Sequence, residues 1–305
     1  MSARLVVAIV IGGAALAAAG PARRPALDVT TRDITLGPDE VVRTTLLGIG
    51  KPVVLIPGLV GGAYSWRTIM APLAERGYQA IIIDPLGTGF SGYPKHADYS
   101  LTAQADRIGR ALDTLGVTHA MLVAQSVGAS IAFRLAYRRP ELVRSVVSLD
   151  GGPVEEAATP GLRSAMRFAG LIKLFMGSGT LRKKVRHGML ENSADSTWIT
   201  DSVVYGYTAG PARNVHQAID AMHGMARAKE PELLRDHLGG IRGPVRLLVG
   251  SMRHGSGIGD TEIAELKQGL RDFAVDSIFG AGQFIQEERP EAVLAAIDSV
   301  DRSRP

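Results

Sequence analysis

The residues best placed to do chemistry are Ala124-Gln125-Ser126-Val127-Gly128, within "VAQSVGAS". An apolar run precedes them and a helical pattern follows. A serine flanked at two positions' distance by small residues fits a strand-to-helix turn too tight for larger side chains. Such a turn strains the serine backbone and exposes the hydroxyl at the sheet's upper edge. The helix that starts there aims its leading N–H groups at an oxyanion. A plain βα turn with serine as the helix N-cap is the alternative. "IPGLVGGAYSW", Ile56 to Trp66, is a glycine-rich strand exit that can supply a second donor. The amides of Leu59 and Val127 are therefore the candidate oxyanion hole, with Trp66 at the pocket's edge. A flexible turn is the other reading of that loop. "DPLGTGFSGYP", Asp84 to Pro94, is a third glycine-rich exit, with a structural role expected.

These segments need a frame to position them. "DVTTRDITL" and "EVVRTTLLGI" read as an antiparallel pair. "PVVLIPG", "AIIIDP", "AMLVAQS", "VRSVVSLDG" and "PVRLLVGS" are short apolar runs that suit buried strands. Ser100 caps "LTAQADRIGRALDTLG", whose apolar positions recur at helical spacing. Helices are also expected from about Ser65 to Arg76, over "VGASIAFRLAYRR", around Asp260 to Leu270, and at "PEAVLAAIDSV". Buried strands alternating with helices indicate a parallel sheet covered on both faces. Residues 152–240 break the alternation with a helical stretch.

Taken together, "PGLVGGAYSW", "DPLGTGFS", "AQSVGAS" and "GAGQFIQEERPEAV" resemble the α/β-hydrolase superfamily, in its esterase, haloperoxidase and C–C hydrolase branch. The motifs stand in the family's order over about residues 40 to 300. The resemblance implies the α/β-hydrolase fold: a mostly parallel eight-stranded sheet with helices on both faces and a helical cap. Residues 26–151 and 241–305 would form the core and 152–240 the cap. It also implies a Ser–acid–His triad. An ester or related acyl small molecule is the expected substrate, and with no metal cluster or dinucleotide fingerprint in the sequence no cofactor and no metal are expected.

Four positions depart from the family pattern. Pro57-Gly58 stands where His-Gly is usual, and Gln125 where histidine usually precedes the serine. Gln283 occupies the place of the catalytic histidine in "GAGHF". Ser251-Met252-Arg253-His254 follows "PVRLLVG", where the family usually places an aspartate. An amide at Gln283 can hydrogen-bond to Ser126 but cannot take its proton. Losing a triad base typically costs roughly four to six orders of magnitude in rate.

A replacement base is therefore sought among the seven histidines. His254 leaves a strand top in the glycine-rich "RHGSGIG", a loop able to fold inward. Asp150, in "SLDGG", leaves the strand next to the serine strand, an alternative acid position in lipase-like relatives. Ser126, Asp150 and His254 would then sit on three successive strand ends. A solvent-exposed loop histidine and a turn-capping aspartate are the plainer readings.

Composition narrows the rest. With 46% hydrophobic and 21% charged residues the chain reads as globular, and its net charge of +4 is too weak to argue for nucleic acid. The absence of cysteine excludes disulfides and thiolate catalysis. Arg4 followed by the apolar run Leu5 to Ala19 reads as a secretory signal over residues 1–25, with an uncleaved anchor as the alternative. An exported protein is expected, periplasmic or extracellular, in the second case held at the inner membrane. From Arg163 to Leu190 the chain carries seven Lys or Arg and no acid, interleaved with Leu171, Leu174, Phe175 and Met176. A solvated helical face is the plain reading; contact of this basic cap, or of the N-terminal segment, with a membrane surface is the functional one. Three functions stay open: a serine hydrolase with a displaced base, a binding protein that keeps the pocket without the reaction, and a cofactor-free lyase.

Overall fold

The computed structural model describes residues 28–255 and 257–303. The N-terminal run read as a signal or anchor lies outside them. Among the described residues no helix is long and apolar enough to cross a membrane.

The first two strands, β1 (Thr30–Gly37) and β2 (Glu40–Leu47), pair antiparallel with Ile34 opposite Val42. β3 (Lys51–Ile56), α1 (Arg67–Glu75) and β4 (Tyr78–Ile83) follow, then α2 (Leu101–Leu115), β5 (Ala120–Gln125), α3 (Val127–Arg138) and β6 (Val143–Leu149). The eight-stranded sheet has the order β1-β2-β4-β3-β5-β6, completed by two C-terminal strands. Those are β7 (Val245–Gly250) and β8 (Phe273–Ile278). Pairing is parallel from β4 to β8.

Strand alternation explains why both faces are covered. Val54, Ile56, Leu122, Ala124 and Val146 join one core with residues of α2 and α3. Val53, Leu55, Met121, Val123 and Val147 join the other, against residues of α1 and the C-terminal helix. Each larger aliphatic side chain, fully buried, contributes about 1.5–3 kcal/mol. The caps follow local chemistry: Ala103 N donates to Ser100 Oγ at 3.1 Å, and Gly116 ends α2 at φ 67°.

Between β6 and β7 the chain forms five helices: α4 (Pro160–Met166), α5 (Ala169–Phe175), α6 (Ser178–Glu191), α7 (Asp201–Ala212) and α8 (Val215–Arg227). A 3-10 turn, Leu234–Gly240, leads back to β7. After β7 come α9 (Asp260–Gly269), β8, the short α10 (Ile285–Glu288) and α11 (Pro290–Ser303). The insertion packs on the exit of β3: the Tyr64 and Tyr207 rings meet edge to face at 6.0 Å, and a Cβ at Gly206 would collide with the Tyr64 ring.

Asp84, at the end of β4, ties two glycine-rich exits together. It is fully buried, and its Oδ2 accepts the Phe90 N–H at 2.8 Å. The Ala63 amide also supports the carboxylate. Gly62, at φ 51°, approaches so closely that a Cβ would lie 3.0 Å from Asp84 Oδ1. Burial pushes the Asp84 carboxyl up to about 7 from 3.8, against the backbone hydrogen bonds that lower it. The folded state therefore holds a proton that the unfolded chain releases. This contribution to stability is complete below about pH 3.8, declines above it, and is lost once pH passes about 7. The slope is about 1.4 kcal/mol per pH unit in that window. Melting curves from pH 4 to pH 8 should show this decline in the wild type and a flatter profile in Asp84→Asn. Parallel profiles would contradict the assignment.

Candidate active site

β5 ends in register with its neighbours, Gln125 beside Leu149 and Leu149 beside Leu248. The residues that follow β5 and β6 are Ser126 and Asp150. Both adopt left-handed backbone conformations, at φ 53° and φ 50°. Strain of this kind costs about 1–3 kcal/mol per residue and persists only when the surroundings enforce it. Here they do. Ser126 N donates to Leu149 O at 2.9 Å, and Asp150 N donates to Leu248 O at 2.8 Å. A Cβ at Gly128 would lie 2.7 Å from Pro57 O, and one at Gly151 would collide with the Ser126 carbonyl. The small residues around the serine are thus required by backbone crowding.

His254 comes from the loop after β7 and turns inward. Its Nε2 lies 2.9 Å from Asp150 Oδ2, and both side chains are only 2% exposed. The turn over them closes with Gly257 N donating to His254 O at 3.3 Å. Glycine suits position 257, because a Cβ there would sit 3.1 Å from His254 Nε2. Among the described residues two other histidines are engaged elsewhere. His187 pairs with Glu191 on the surface, and His237 pairs with Glu232 and stacks on Tyr137.

Ser126 Oγ accepts a hydrogen bond from Gln283 Nε2 at 3.3 Å. Gln125 Nε2 in turn donates to Gln283 O at 3.4 Å, while its Oε1 fills the space a Cβ at Gly58 would need. Gln125 therefore braces the loop of Leu59 against the loop of Gln283. Val127 opens α3, so its N–H is one of that helix's unpaired leading donors. Leu59, Ser126, Val127 and Asp150 share one cavity of about 460 Å³, a size suited to a small-molecule ligand. Among the described residues no cluster of three or more His, Cys, Asp or Glu is arranged to hold a metal.

Trp66 requires a correction. It is fully buried in the core on the α1 face, packed with Leu55, Met121 and Ile285, and it is not among the residues around the cavity. The 3-10 turn Gly62–Trp66 directs its indole into the sheet. Ser251 stands where the family pattern has an acid, and its Oγ accepts the Gly280 N–H at 3.0 Å, bracing the loop that leads to Gln283.

The motif reading missed the carboxylates that hold the Gln283 loop. Glu288 Oε2 accepts N–H groups from Ala194, Asp195 and Gly282 at 3.0, 3.2 and 3.0 Å. Glu287 Oε1 accepts from Tyr207 Oη at 2.7 Å and pairs with Arg67. Burial pushes both carboxyls up, opposed by these hydrogen bonds. The signal lay in "QEERP": consecutive acids directly after an apolar turn need partners once buried.

The comparisons with known proteins bear on the fold that carries this site. A family model described as the alpha/beta hydrolase fold matches residues 51–193. The epoxide hydrolase CorEH superposes with a TM-score of 0.73 at 20% identity, over 91% of this chain and 100% of that one. This chain is an α/β-hydrolase-fold protein. The haloalkane dehalogenase DbeA of Bradyrhizobium elkani USDA94 shares the hydrolase fold as well, with a TM-score of 0.71 at 24% identity over 91% and 100% of the two chains. Sequence relatives match shorter stretches. A protein described as putative carbamate hydrolase RutD, from Klebsiella pneumoniae strain 342, is 40% identical over 103 residues, 33% of this chain and 38% of that protein. A 2-hydroxymuconate semialdehyde hydrolase of Pseudomonas sp. strain CF600 is 37% identical over 127 residues, 40% of this chain and 44% of that one. The matched stretch thus spans less than half of each relative's length.

Glu288→Ala should lower the stability of this hydrolase-fold protein by about 1–3 kcal/mol, because it leaves the buried Gly282 N–H unpaired, while the Ala194 and Asp195 amides lie nearer solvent. Glu288→Gln, which keeps an acceptor oxygen, should cost less. Urea unfolding measures both; an alanine variant within about 0.5 kcal/mol of wild type would contradict the clamp.

Proposed function

We propose that the protein is a serine hydrolase acting on an ester or related acyl small molecule, with Ser126 as nucleophile and an Asp150–His254 pair in place of the usual base. The single observation that carries this reading is the buried 2.9 Å contact between His254 Nε2, in the loop after β7, and Asp150 Oδ2, at the end of β6 beside the serine strand. A neutral imidazole that keeps its proton on Nε2, the nitrogen nearer the carboxylate, has its acceptor at Nδ1. Ser126 Oγ attacks the acyl carbon, and Nδ1 takes the hydroxyl proton directly or through one water. The Leu59 and Val127 amides hold the oxyanion. The same proton then passes to the leaving group, and water cleaves the acyl-enzyme. Gln283 orients the Ser126 hydroxyl by donating to it. A carbamate, the substrate in one relative's name, fits the same scheme. The N-terminal apolar run favours export, periplasmic or extracellular.

A second reading has its own observation. Gln283 contacts Ser126 Oγ at 3.3 Å from the place where the family carries histidine. A protein that keeps the elbow and cavity to bind a small molecule, without turnover, would look the same there.

Hydrolysis of short-chain p-nitrophenyl esters separates the two. The hydrolase reading expects kcat/KM to fall by roughly 10⁴ in Ser126→Ala and in His254→Asn, with no further loss in the double variant, because the groups act as a unit. Gln283→Ala should lose far less. Activity that survives His254→Asn, or that first arises in Gln283→His, would overturn the proposed base.

A further inference from the structure

The helical insertion carries an apolar face that the proposed reaction does not use. Phe168, Leu171, Leu174 and Phe175 are 61%, 58%, 73% and 78% exposed, and α5 buries none of its residues. At about 100° per residue these four side chains fall within an arc of roughly 120° on α5 and its N-cap. Lys173, on the opposite side, pairs with Asp220 of α8 and fixes which side faces the protein. The outward side of α5 is therefore apolar, where a soluble surface would be polar.

Along the chain, the run that carries this face is charged with one sign only. Residues 163–190 include seven Lys or Arg and no acid. Arg163, Lys173 and Arg186 find acids outside the run, in Glu156, Asp220 and Asp201, and Arg182 lies over the Tyr205 ring. Arg167, Lys183 and Lys184 are exposed, with no ion pair among the described residues. Apolar side chains at a surface whose surplus charge is positive complement an interface that is apolar inside and anionic outside. An acid-free apolar patch would suit a protein partner less specifically.

We infer that the Phe168–Phe175 face docks on the surface of an anionic lipid bilayer. Phe168, Leu171, Leu174 and Phe175 enter the headgroup boundary while the flanking cations meet lipid phosphates. Pro160, the first residue of α4, lines the cavity shared with Ser126. α4 spans about 10 Å, so docking brings the cavity rim close to the membrane surface. The inference rests on exposure and charge and does not depend on the proposed hydrolysis.

A reporter inside the patch tests it in the full chain, whatever the N-terminal run does. Phe175→Trp is mixed with vesicles of phosphatidylglycerol, of phosphatidylcholine, and of phosphatidylglycerol containing brominated acyl chains. The expected result is a blue shift of the introduced indole's emission with phosphatidylglycerol and strong quenching by the brominated lipid, relative to the parent, whose tryptophans are Trp66 and Trp198. Arg167→Gln in the same background should raise the lipid concentration for half-maximal signal about fivefold, since one basic residue near a charged surface contributes about a factor of five. Leu171→Asp with Leu174→Asp should abolish the shift while circular dichroism stays unchanged. An introduced indole that is neither shifted nor quenched overturns the proposal. So does a signal equally strong with neutral lipid, or a patch that instead joins two copies of the chain, seen as a dimer that the aspartate variant dissolves.

Discussion

Asp150 and His254 meet where water hardly reaches, and each is tolerable there because of the other. An unpaired carboxylate in that position would carry a desolvation penalty of several kcal/mol, and removing one partner from such a pair typically costs about 3–5 kcal/mol. The pair therefore constrains more than two side chains. It pulls the loop after β7 down onto the ends of β5 and β6, and it favours glycine at 257 so that the turn can close. It sits beside two strained turns, at Ser126 and Asp150, held by hydrogen bonds from the adjacent strands. The upper edge of the sheet is preorganised: Ser126 and Asp150 are set by backbone crowding rather than by long, flexible side chains.

The opposite wall of the site is built from another kind of contact. Gln283 reaches Ser126 from a loop clamped by Glu288 to the segment after α6 and by Glu287 to α7 and α1. The helical insertion and the serine are thus mechanically linked through consecutive glutamates. Where the family pattern has an imidazole, this chain has an amide that can orient the hydroxyl without taking its proton. Two functions usually combined in one histidine, positioning and proton transfer, are divided under the proposed reading between Gln283 and His254.

Much of the frame was legible in the residues. Buried runs such as "AIIIDP" and "AMLVAQS" have no polar alternation, which only a doubly covered strand tolerates, and both form central strands. Ser126 was legible because the small residues at 124 and 128 report a steric requirement that survives without any partner. The closeness of His254 and Asp150 was harder to read. They lie about a hundred positions apart, and only the sheet order β5-β6-β7 brings their strand ends together. Trp66 misled because a residue in a glycine-rich exit can point to the cavity or to the core. That choice depends on a 3-10 turn that leaves no periodic mark. The clamping roles of Glu287 and Glu288 were not read from the sequence, because donors such as Ala194, Asp195 and Tyr207 lie about 80 to 95 positions away.

Under the proposed function, everything stands on the capacity of the His254–Asp150 pair to activate Ser126. Peptide mapping by mass spectrometry after exposure to a fluorophosphonate tests this most directly, since the reagent reacts with an activated serine and needs no knowledge of the substrate. The predicted result is a phosphonyl adduct on Ser126 in the wild-type protein and none when His254 is replaced by asparagine in a chain that still folds. A wild-type Ser126 that stays unmodified, beside a Gln283→His variant that labels, would contradict it.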